Sequence, residues 1–83
     1  PFLQKPPRPA KPGRTAIRVT CKTKGIHRVF LDTRDSGYDC PTPPLAVLPV
    51  VHGVALYVVN ERKTVWKKIR PKPRQTAVVE FPY

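Results

Sequence analysis

The sequence predicts an all-β chain: a small three-stranded antiparallel sheet between an extended, basic, proline-rich N-terminal arm and an extended C-terminal tail. Three observations lead there. Apolar residues recur at period two, the spacing of a strand with one buried face. Twelve prolines, five of them within the first twelve residues, keep helix and central strand out of the N-terminal segment. No amphipathic helical stripe, heptad or internal repeat is read along the 83 residues. The predicted divisions are an arm over residues 1–14, a β domain over 15–69 and a tail over 70–83.

In the arm, Pro1, Pro6, Pro7, Pro9 and Pro12 alternate with Lys5, Arg8, Lys11 and Arg14. Fixed φ and missing donors make this a polyproline-like stretch that loses comparatively little entropy when laid against a partner. From residue 15, Ile17, Val19 and Cys21 fall on one face and Arg18, Thr20 and Lys22 on the other, a half-buried strand with a basic outer side. Lys24-Gly25 supplies turn chemistry before a second β-prone run, so residues 16–32 read as a hairpin carrying Arg18, Lys22, Lys24 and Arg28. Residues 33–44, with three prolines, Gly37, Asp35 and Asp39, read as an irregular loop. The valine-rich run 54–59 is expected to hold the core, and residues 64–69 an edge strand guarded by lysines. A second proline-basic linker, Arg70-Pro71-Lys72-Pro73-Arg74, follows. Residues 76–83 either dock on a neighbouring molecule or add a strand to the same sheet.

Sixteen Lys and Arg against five Asp and Glu give a net charge of +11, which points to a polyanionic partner. Fifteen of the sixteen cations precede Asp32 or follow Asn60. The candidate RNA-binding residues are therefore Lys5, Arg8, Lys11, Arg14, Arg18, Lys22, Lys24 and Arg28, with Arg62, Lys63, Lys67, Lys68, Arg70, Lys72 and Arg74 in the tail cluster. Trp66, set among the tail cations with Tyr57 upstream, is placed equally well as a base-stacking ring or as a core residue.

Catalysis is not expected. His27 reads as a surface histidine of the hairpin and His52, beside Gly53, as a turn residue or stacking ring, and no nucleophile motif accompanies them. Cys21, His27, Cys40 and His52 match no zinc spacing, and Asp32, Asp35 and Asp39 lack the carboxylate spacing and closing glutamate of a calcium loop, so neither metal nor cofactor is called for. With no secretory h-region read, the two thiols are expected free in a reducing compartment, a Cys21–Cys40 bridge being the alternative. The longest apolar runs are interrupted at Pro49, His52 and Gly53 and fall short of a membrane span.

Ile17-Arg18-Val19 leading through Gly25 to Phe30-Leu31-Asp32-Thr33-Arg34, followed by Pro49-Val50-Val51, Val54, Leu56-Tyr57-Val58 and Glu61-Arg62-Lys63, resembles the bacterial and organellar large-subunit ribosomal protein L-thirty-three family over residues 16–63. The resemblance implies a zinc-ribbon-like three-stranded sheet held against large-subunit rRNA and neighbouring ribosomal proteins, near exit-site tRNA. Cys21 has no partner two residues on and residues 49–52 carry no cysteine pair, so the chain resembles the zinc-free form. It departs from the family at Asp35-Ser36-Gly37-Tyr38-Asp39, where members carry a basic stretch. The proline-basic extensions resemble those of a mitochondrial ribosome, implying a structural constituent in the mitochondrial matrix. The alternatives are a protein-binding supernumerary subunit of an organellar complex and a viral nucleic-acid packaging protein.

Overall fold

The computed structural model describes residues 9–83. Its regular structure is strand, apart from one 3₁₀ turn at Val59–Glu61. The strands are β1 (Ala16–Cys21), β2 (Arg28–Leu31), β3 (Arg34–Asp39), β4 (Leu45–Ala46), β5 (His52–Val58), β6 (Lys63–Ile69) and β7 (Thr76–Phe81). They form two sheets rather than the single one expected, in the orders β4-β1-β7 and β3-β2-β5-β6. Inward-facing residues of both meet in one core that includes Ile17, Val19, Val29, Leu45, Leu56, Val79 and Phe81. The core is thus wider than the 54–59 run that was expected to hold it.

The expected hairpin over 16–32 does not form. β1 is occupied on both edges, by β4 antiparallel and by β7 parallel, so β2 pairs instead with β3 and β5. The 22–27 connection carries the chain from one sheet to the other. It is held by Lys22 N–H and Thr23 N–H donating to the Tyr83 carbonyl at 2.5 and 2.9 Å, and by Gly25 N–H donating to the Cys40 carbonyl at 2.9 Å. The terminal segment expected within a tail is β7, whose Ala77, Val79 and Phe81 lie opposite Ile17, Val19 and Cys21.

The second departure is β3, within the stretch expected to be irregular. Asp32 and Thr33 adopt φ of 50° and 69°, the two left-handed residues of a tight hairpin loop, and Leu31 pairs with Arg34 across it. Such a polar strand survives because it is an edge whose buried side needs few apolar groups. Ser36 faces inward and donates to the Val29 carbonyl at 2.6 Å, while Asp35 and Asp39 on the outer side flank Arg28 at 3.7 and 3.5 Å.

Cys21 and Cys40 form a disulfide, with Cα atoms 6.0 Å apart, which overturns the expectation of free thiols. The bond joins the end of β1 in one sheet to the residue following β3 in the other. Compartment reasoning had no access to the register that brings these ends together. Beside it, Thr42 extends the ladder on β1, receiving Val19 N–H on its hydroxyl at 3.0 Å and donating its own N–H to the Val19 carbonyl at 2.9 Å.

Both histidines are buried, where His27 was expected on the surface and His52 as a turn residue or stacking ring; His52 is the first residue of β5. His27 Nδ1 accepts Val59 N–H at 3.2 Å, tying the β1–β2 connection to the end of β5. His52 lies between Asp32 Oδ2 at 2.5 Å on Nδ1 and the Leu48 carbonyl at 2.8 Å on Nε2. Both of its partners are oxygen acceptors, so the ring is held from two sides, by the turn that starts β3 and by the segment before β5. Burial alone would raise the Asp32 pKa, but hydrogen bonds from His52 and from Gly53 N–H outweigh it and hold the carboxyl below its usual range.

Candidate polyanion interface

Parallel pairing of β1 with β7 means that both strands start at the same end of the molecule. Each is entered through a proline turn. Lys11-Pro12-Gly13-Arg14 closes with Arg14 N–H donating to the Lys11 carbonyl at 3.2 Å, and Lys72-Pro73-Arg74-Gln75 with Gln75 N–H donating to the Lys72 carbonyl at 3.1 Å. Proline at the second position and positive φ at the third, 81° at Gly13 and 61° at Arg74, mark both as type II turns. The turns share the pattern Lys-Pro-x-x-Thr-Ala, at residues 11–16 and 72–77, a short internal repeat where none was expected.

The two turns are bonded to one another. Arg74 N–H donates to the Thr15 hydroxyl and Ala16 N–H to the Gln75 carbonyl, each at 3.0 Å. Between them is an open cleft of ≈ 440 Å³ lined by Gly13, Arg14, Thr15 and Arg74. Lys11, Arg14, Arg70, Lys72 and Arg74, exposed and with no acid in either turn, thus come to one end although up to 63 positions separate them in sequence. Among the described residues the ion pairs involve Arg28, His52 and Lys63, leaving these five cations without a carboxylate. Converging cations in a shallow cleft favour an extended, multiply charged partner, because each neutralised phosphate or sulfate releases counterions.

The remaining candidates are dispersed. Arg18 is exposed on the outer face of β1 opposite Val78, and Lys22 and Lys24 lie past the far end of that strand. Arg28 is held by Asp35 and Asp39. Arg62 ends the 3₁₀ turn at φ 50°, and Lys63 pairs with Glu61 at 3.1 Å while lying 5.1 Å over the Tyr83 ring. Lys67 donates to the Glu80 carbonyl and covers Phe81, a structural role across the β6–β7 contact. Lys5 and Arg8 lie outside the described residues.

Trp66 is 55% exposed, so it is no core residue. It stands on the outer face of the four-stranded sheet in a row that runs Asp35, Phe30, Ala55, Trp66 across β3, β2, β5 and β6. The adjacent row runs Asp39, Arg28, Tyr57, Thr64. Phe30 is the ring that sequence reasoning missed; period-two counting along residues 28–31 puts it with Arg28 on the solvent side and would have found it. No protein-family model, curated protein or solved structure matches the chain.

Proposed function

We propose that this chain binds a linear polyanion across its two converged proline-basic turns, and that the polyanion is RNA. The observation that carries the reading is the parallel β1–β7 pair, which delivers Arg14 and Arg74 to one cleft with no acid among its lining residues. The protein acts by holding a phosphate backbone and performs no reaction. In the finer form of this reading the RNA is large-subunit rRNA of a mitochondrial ribosome. Its support is the L-thirty-three resemblance in sequence over residues 16–63, whose opening hairpin is replaced in this fold by the pairing of β1 with β4 and β7. The Cys21–Cys40 bridge favours a second reading, in which the chain works in an oxidising compartment and the polyanion is a sulfated glycan.

Binding of a labelled single-stranded RNA, followed by anisotropy across a salt series, tests the proposal. We expect log affinity to fall linearly with log salt. Replacing Arg14 and Arg74 with Gln should flatten that slope by about 1.4, from about 0.7 per lost phosphate contact, whereas Lys22→Gln with Lys24→Gln at the far end of β1 should leave it nearly unchanged. Equal losses from both pairs, or no RNA binding, would sink the reading. Displacement of RNA by far lower charge-equivalents of heparin would decide for the glycan.

A further inference from the structure

We infer that the outer face of the β3-β2-β5-β6 sheet carries a pocket for a single unpaired nucleobase, stacked on Trp66 and fed by a strand of RNA whose phosphates follow β6 to the basic turns. The inference rests on the RNA reading above and adds a second, chemically different contact. Its basis is a gap in the sheet surface. Gly53 and Ala55, the two small outward residues of β5, lie between Phe30 on β2 and Trp66 on β6, and Tyr57 and Thr64 close one end. Phe30, Ala55, Tyr57, Thr64 and Trp66, with Thr33, line an open cavity of ≈ 250 Å³. The indole leans toward Gly53, whose position would bring a Cβ within 3.6 Å of a Trp66 ring carbon. Small-molecule pockets run from about 300 to 1,000 Å³, so this cavity suits one flat ring system rather than a nucleotide or an oligosaccharide.

Charge on the two sides of the pocket sets the direction of the chain. On the β3 side stand Asp35 and Asp39, which repel phosphate and share the cation Arg28. On the β6 side, period-two alternation continues the face from Trp66 to Lys68, which lies opposite Gly53, and the exposed Arg70 follows just past the end of β6 on the way to the basic turn. Alternate strand residues are about 6.6 Å apart, so Lys68 and Arg70 form a cationic track leading from the pocket to the cleft at Arg14 and Arg74. Phosphates on that track leave a base free to lie on the indole.

Trp66 is the only tryptophan in the chain, so its emission reports the pocket directly. A short oligouridine should quench that emission, and adenosine, which has no phosphate, should do so weakly at high concentration. Inorganic polyphosphate, bound through the turns alone, should leave it unchanged. Trp66→Ala should weaken oligouridine binding about 5- to 140-fold with the salt slope kept, and Trp66→Phe should restore most of the loss. Unchanged emission with oligouridine and adenosine, or quenching by a neutral oligosaccharide instead, overturns the pocket. RNA binding that is salt-dependent but leaves Trp66 emission unaltered defeats this inference and spares the proposed function. Quenching by adenosine from a protein that fails to bind RNA does the reverse.

Discussion

At the scale of single residues, Arg74 is the position where stability and function oppose each other most directly. Its φ of 61° puts a long side chain where a type II turn favours glycine, while the equivalent position of the companion turn is Gly13 at φ 81°. Residues held in that region cost about 1–3 kcal/mol, offset in part here by the hydrogen bond from Arg74 N–H to the Thr15 hydroxyl. Arg74→Gly removes the strain and keeps the bond, but adds backbone freedom to the unfolded chain worth about 0.5–1 kcal/mol. We expect the variant to be as stable as the parent or up to about 2.5 kcal/mol more stable, and to bind RNA more weakly with a shallower salt slope. Urea denaturation beside anisotropy measures both. A variant that loses stability would show that the guanidinium, and not the turn, keeps Arg74 in place.

Among the elements, the disulfide and the pairing of β1 matter most. The Cys21–Cys40 bond closes 19 residues and ties the two sheets together at the end remote from the basic turns. For a loop of this size the chain-entropy model gives about 3 kcal/mol, a large share of the stability of a domain this small. Reduction, or Cys21→Ser with Cys40→Ser, should therefore lower the unfolding free energy by about that amount, read as a lower urea midpoint, and unchanged denaturation in reductant would exclude the bond from the stable fold. The strands themselves were largely legible: period two along residues 16–21, 54–59 and 64–69 places β1, β5 and β6 to within about two residues, a common spread for element ends. Their partners were not. Local pattern cannot distinguish a β1 that pairs with its sequence neighbour from one that pairs with residues 76–81, since both arrangements bury Ile17 and Val19. β3 was hidden for a different reason. Its only inward polar anchor is Ser36, and the Asp32-Thr33 turn that starts it looks like ordinary loop composition. For the candidate site, the cations were readable as residue types, but their convergence depends on the parallel pairing and so could not be counted from the sequence.

For the whole molecule, the consequence of +11 lies in where folding puts the charge. In an unfolded chain Arg14 and Arg74 are sixty residues apart and only weakly coupled; in the fold they line one cleft. Folding therefore concentrates like charge at one end, and the native state carries a repulsion that the unfolded state largely lacks. Salt screens such repulsion over a Debye length of about 10 Å at 0.1 M, so added salt should stabilise the protein while it weakens the hold on RNA. We expect the thermal midpoint to rise between about 50 mM and about 300 mM sodium chloride, over a range where log affinity for RNA falls. The double replacement of Arg14 and Arg74 with Gln separates this effect from a general action of salt on burial. With two of the opposing charges gone, its midpoint at low salt should exceed that of the parent, and its rise with salt should be shallower. Polyphosphate at low salt should do for the parent what the replacements do for the variant, raising the midpoint by neutralising the same residues. A parent midpoint that is flat or falls with chloride would mean that the cations at the β1–β7 end are too well solvated to repel. The cleft would then lack the field that the proposed function requires.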